Sequence, residues 1–118
     1  MSLALRLKVL ETQAHTRGKV YKISADGKLV VLLLTFHALE RAQVWTLTDR
    51  QVIRALLQPE EVLKGHRNRF IAHRRVGRHV VRVVYEYDGN MPSVVTVYYP
   101  FAARYFRGGG LYEDQILA

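Results

Sequence analysis

Between His66 and Tyr87 the chain carries six arginines and three histidines, and no carboxylate stands between Val62 and Tyr85 to balance them. These side chains suit phosphate chemistry. A guanidinium grips a phosphate through two parallel N–H donors, and an imidazole titrates near neutrality, so it can take or give a proton. Attack of a ribose 2′-hydroxyl on the adjacent phosphate needs a base, an acid for the leaving oxygen and cations on the pentavalent charge. His73, or His37 farther upstream, is the candidate base or acid. Arg75 and Arg82 are candidates to hold the transition-state charge, and Tyr98 and Tyr105 to support proton transfer. Arg41, Arg69, Arg74, Arg78, Thr96 and Arg104 complete the set as RNA contacts. The same residues would equally serve a site that holds RNA without cutting it, or a solvated strand face with a cross-strand Tyr–Arg pair. His37 and Glu40 have the spacing of two metal ligands on a helix, but no third ligand accompanies them, and capping or helix stabilisation accounts for the pair more simply.

These residues need a sheet to gather them. Alternating leucines over 3–10 predict a first strand, followed by a polar loop at 15–18. VYKIS and KLVVLLL flank Asp26-Gly27, a strong hairpin signal. The period then changes: Phe36, Leu39, Ala42 and Val44 suit a helix with Thr35 as N-cap. Thr48 with Gln51 forms a capping-box pattern ahead of a second helix bearing Val52, Ile53, Leu56 and Leu57, which Pro59 ends. From Arg69 the chain returns to strands, RFIAHRRV, HVVRVVYEY and SVVTVYY. The expected fold class is α+β: two helices packed on a largely antiparallel, curved β-sheet, with an extra N-terminal β-hairpin. One domain over 1–118 is expected, with N-terminal strands over 1–35, a core over 36–107 and a flexible acidic tail over 108–118.

Side chains alternate across a strand, so parity assigns faces. With a two-residue turn at Gly77-Arg78 and Arg82 opposite Tyr98, one face collects Phe70, Ala72, Val76, Val81, Val83, Tyr85, Val95 and Val97. The other collects Arg69, His73, Arg75, Arg82, Thr96 and Tyr98. Arg74 falls on the apolar side, which predicts a sheet edge or a bulge there. The second face is expected to be open, a basic surface for a polyanion.

Composition agrees with that partner. A net charge of +8 on 118 residues points to nucleic acid first, an acidic protein second and a membrane surface third. The absence of cysteine excludes a disulfide framework and any thiolate metal site. MSLALRLKVL lacks the basic start and continuous apolar run of a signal peptide, and VVLLL is far too short to span a bilayer, so a cytoplasmic location with no membrane contact is expected.

His37-Ala-Leu-Glu-Arg41, the helix LTDRQVIRALLQPEEV, the arginine-rich strand pair and VVTVYYP, in that order over roughly 29–106, resemble a small uncharacterised domain family related to RelE/ParE toxins. The resemblance implies a RelE-like fold of the barnase–EndoU–colicin–RelE type, in which the free sheet face forms the active groove. It implies a toxin-like, metal-independent ribonuclease without cofactor, acting on RNA that is ribosome-associated in some relatives. It further implies an acidic antitoxin as partner, and the additional N-terminal strands suggest a homodimer. The competing expectation is a RelE-fold protein that binds nucleic acid or its antitoxin without chemistry.

Overall fold

The computed structural model describes residues 5–102, together with the backbone of 106–107 and 111–112. Three antiparallel strands come first: β1 (Leu7–His15), β2 (Gly18–Ala25) and β3 (Lys28–Thr35). The β2–β3 turn is Asp26-Gly27, with φ of 51° and 83°. Positive φ at both positions matches the right-handed twist of the flanking strands, which is why this dipeptide closes hairpins.

Two helices of nine residues follow, α1 (Phe36–Val44) and α2 (Asp49–Leu57). Thr35 caps α1 by accepting from the Ala38 N–H, and its own hydroxyl donates to the Val95 carbonyl, tying the helix start to the sheet. Thr48 and Gln51 form the reciprocal capping box of α2, with each side chain bonding the other's backbone N–H. The chain then returns through β4 (Glu61–Lys64), β5 (Phe70–Val76), β6 (His79–Asp88) and β7 (Met91–Tyr98). A short pair, β8 (Phe106–Arg107) and β9 (Leu111–Tyr112), comes last.

The first seven strands make one mixed sheet, ordered β1-β2-β3-β7-β6-β5-β4. All neighbours are antiparallel except β3 and β7, which run parallel through Leu33↔Ser93 and Leu34↔Val94. This corrects the expectation of a largely antiparallel, curved sheet under two helices with an added N-terminal hairpin. The N-terminal strands are three, and they continue the same sheet across a parallel seam. That seam joins residues sixty apart in sequence and leaves no local pattern, whereas a hairpin advertises itself through its turn.

Both helices pack on one face, over Leu7, Tyr21, Ile23, Leu32, Leu34, Ala72, Val81, Val83, Val94 and Val97, with Val52, Ile53 and Leu56 pressed against them. Burying each large aliphatic residue of this layer stabilises the fold by about 1.5–3 kcal/mol relative to exposure. No described helix is long and apolar enough to cross a membrane. The proposed tail over 108–118 lies outside the described residues except for β9.

Candidate nucleic-acid interface

The registers place Arg82 opposite Tyr98 and Val83 opposite Val97, and align Phe70 with Tyr85, Ala72 with Val83 and His73 with Arg82. The two sets of residues therefore lie on opposite faces as parity predicts, with one exception. A bulge in β7 between the Val84 and Tyr85 pairings sets Tyr85 opposite Val94, so Val94 and not Val95 joins the core layer. Arg74 needs neither an edge nor a bulge. From the helix side of β5 it donates to the Gln58 carbonyl at 2.8 Å, where a cation meets the negative end of α2.

On the other face, one row of register partners crosses four strands: Glu61, His73, Arg82 and Tyr98. His73 Nδ1 lies 3.4 Å from a Glu61 carboxylate oxygen, and the Arg82 guanidinium carbon lies 5.8 Å from the centre of the Tyr98 ring. The row is closed at its centre and open at both ends, with the Glu61 side chain 29% exposed. His73 is 0% exposed and Arg82 4%, whereas Tyr98 is 37% exposed. Burial holds the Glu61 carboxyl above its ordinary range. Thr96 is also buried, and its hydroxyl, like that of Ser93, has no hydrogen-bond partner among the described residues. Leu33, Ile71, Val80 and Val84 lie on this same face and are 0% exposed, so its centre is a closed layer in which the polar row is set among buried aliphatic side chains. The expectation of an open basic surface is corrected here: with the His73 ring wholly shut from solvent, no dissolved phosphodiester touches it.

The exposed groups gather instead at one end of the sheet. β6 begins where β7 ends, because the two strands run antiparallel, so the Gly77-Arg78 turn lies beside the segment that leaves Tyr98. Val80 donates its N–H to the Pro100 carbonyl, Ala102 donates to the Arg78 carbonyl, and His79 bridges to Phe101, locking the two segments together. The His79 imidazole stacks on Tyr99 with ring centres 4.3 Å apart and on Phe101 at 4.4 Å. Phe101 remains 53% exposed, and Arg75 and Arg78 are exposed at the same end. Aromatic faces beside guanidiniums are the elements from which single-stranded nucleic-acid grooves are built.

The other candidates are dispersed. His37 is exposed on the first turn of α1, in the helical layer across the sheet from His73, so the structure does not bring the two imidazoles together. Arg41 lies over the Trp45 ring at 5.5 Å. Arg69 pairs with Glu86 at 3.6 Å. Arg104 and Tyr105 lie outside the described residues. Glu61, which follows Pro59 with the pattern of a further turn or the lead into a strand, and His79, Tyr99 and Phe101 carry no site signal of their own in the sequence. Only the alternation of VVTVYYPF, followed past its proline, signals that aromatic cluster.

Residues 34–99 match the model of a domain family described as a domain of unknown function, DUF4258. The match covers more than half of the chain, which belongs to this family. It begins at the end of β3 and runs just past β7, so it takes in both helices and the buried row but leaves out β1 and β2. It carries no link to RelE or ParE toxins. No curated protein and no solved structure matches the chain.

Proposed function

We propose that this protein binds single-stranded RNA at the β6–β7 end of its sheet and does not cut it. The observation that supports the reading is the gathering of exposed rings and guanidiniums at one end of the sheet: Tyr98 and Arg75 on the face of Arg82, Phe101 on the face of His79, and Arg78 in the turn between β5 and β6. Tyr98 and Phe101 offer faces on which unpaired bases stack, a contact worth about 1–3 kcal/mol per base and indifferent to sequence. The guanidiniums track the phosphates, and the charge of +8 draws the polyanion to the surface. The buried row stiffens the platform. Arg82, beneath Tyr98, presents a cation to the hidden side of the ring, and His73 and Glu61 continue the polar layer behind it.

Cleavage is the competing outcome. It would need an acid and a base within reach of the phosphate, and His73 is enclosed while His37 is on the opposite layer. An acidic antitoxin, a ribosome-associated substrate and a toxin role, implied by the RelE likeness, draw no support from the family match.

The test is titration of the protein into a fluorescently labelled single-stranded RNA, followed by anisotropy, with a parallel incubation in EDTA resolved on a denaturing gel. Saturable binding with intact RNA is expected. Phe101→Ala should weaken binding about 5–100-fold, and Tyr98→Ala by a similar factor. Absence of binding at low salt, or discrete RNA fragments that Phe101→Ala abolishes, would overturn the proposal.

A further inference from the structure

The two edges of the seven-stranded sheet differ sharply. β4 is four residues long and carries Glu61 and Lys64 at its ends, the usual protection of an edge against a further strand. β1 is nine residues long and forms the other edge. From Leu10 to Ala14 every one of its residues is exposed, so neither face of this strand is covered. A bulge at Leu10, between the Val9↔Ile23 and Glu11↔Lys22 pairings, guards its first part together with Lys8. Beyond the bulge, Thr12-Gln13-Ala14 has no charge, no proline and no irregularity, in a chain with a net charge of +8.

We infer that β1 pairs antiparallel with β1 of a second copy of this chain, around a two-fold axis through Gln13, joining two seven-stranded sheets into one. An axis perpendicular to the sheet keeps each residue opposite one on the same face. Thr12 and Ala14 share the helix side with Tyr21 and Leu7, while Glu11, Gln13 and His15 share the other. Centring on Gln13 sets Gln13 against itself once, on the axis, and Thr12 against Ala14 and Glu11 against His15 twice each. Centring on Glu11 would oppose two carboxylates, and centring on Thr12 would leave Glu11 facing Gln13. The Gln13 register is therefore the one that sets each carboxylate opposite a hydrogen-bond donor, the imidazole of His15. His15 is prepared for it: its Nδ1 accepts from the Arg17 backbone N–H at 3.0 Å, which leaves the ring hydrogen on Nε2 free to donate. Glu11 holds Lys22 at 3.2 Å through Oε2 and keeps Oε1 for the new contact.

The chain has no cysteine, so a single introduced thiol reports the register without ambiguity. Directly opposed antiparallel residues have Cα atoms about 4.5–5.5 Å apart, within the roughly 4.4–6.8 Å that a disulfide spans. Sedimentation equilibrium of the unmodified protein should approach twice the 13.6 kDa of one chain as concentration rises. Gln13→Cys should oxidise to a covalent dimer at least about tenfold faster than Leu29→Cys, whose side chain is also exposed but distant from the axis. Gln13→Lys should leave a monomer that melts like the parent at dilutions where the parent is itself monomeric, because it places two ammoniums on the axis. A monomer at every concentration, or Gln13→Cys crosslinking no faster than Leu29→Cys, would overturn the inference.

Discussion

Arg82 looks from the sequence like a surface ligand and is found in the structure as part of the interior, so its removal should damage the fold before it damages binding. The side chain is 4% exposed, between His73 on β5 and Tyr98 on β7. Arg82→Ala deletes two methylenes, worth about 0.8 kcal/mol each. It also deletes the cation beneath Tyr98, worth about 1–2 kcal/mol at a desolvated site. The expected loss is therefore about 3 kcal/mol, or roughly 10–20 °C in the thermal midpoint of a chain this size. Arg82→Met separates the two contributions. It gives up the same ion–ring contact and the same buried charge but keeps the hydrocarbon, so it should be more stable than Arg82→Ala by about 1.6 kcal/mol. Urea unfolding followed by circular dichroism gives both values if the slope with denaturant stays constant. Arg82→Ala unfolding within about 0.5 kcal/mol of the parent, or Arg82→Met costing as much as Arg82→Ala, would refute the buried row.

Three further outcomes follow from the same structure. Gly18→Ala should abolish folding or cost more than about 4 kcal/mol, because an added Cβ would lie 2.0 Å from the Leu34 carbonyl oxygen of the neighbouring strand. Gly27→Ala meets no atom within 4 Å and should cost only about 1 kcal/mol, through its φ of 83°; equal thermal midpoints for the two variants would contradict this packing. Thr48→Ala removes the capping box of α2 and should cost about 0.5–2 kcal/mol in urea unfolding. The Tyr21 hydroxyl is raised above 10.0 by burial and by Asp49, and that of Tyr85 by burial and by Tyr87. Both groups keep their protons in the folded chain after the unfolded chain has lost them. Their stabilisation is thus complete below about pH 10 and lost as pH rises beyond it. Denaturation midpoints measured from about pH 9 to 11.5 should fall, and less steeply in Tyr21→Phe; a flat profile would contradict the enclosure of these rings.

The sequence carried the local devices well. Asp26-Gly27, the Thr35 cap, the Thr48/Gln51 box and the stop at Pro59 each act through neighbours within four residues, and each is present. Parity from the Gly77-Arg78 turn also placed His73, Arg82 and Tyr98 on one face, because a two-residue turn fixes register. The β7 bulge escaped notice, since Ser93-Val94-Val95-Thr96 alternates no differently with an extra residue than without it. The strand signal stops at residue 10, because Glu11-Thr12-Gln13-Ala14 shows no apolar alternation, and a strand exposed on both faces has none to show. Burial of the basic face escaped for a similar reason. Arginines and histidines in a strand reveal which side they take, but not whether that side meets water. The parallel β3–β7 seam is a long-range choice made by packing and leaves no mark on either strand.

RNA is expected at the aromatic and basic end of the sheet, and the salt dependence of its affinity is the direct test. For a single strand, log K should fall linearly with log salt at about 0.7 per phosphate neutralised. Arg78→Ala should lower that slope by about 0.7, and Phe101→Ala should weaken binding at every salt concentration while leaving the slope unchanged. Loss of affinity without a change of slope in Arg78→Ala, or no loss in Phe101→Ala, would contradict the central claim that this end of the sheet holds RNA.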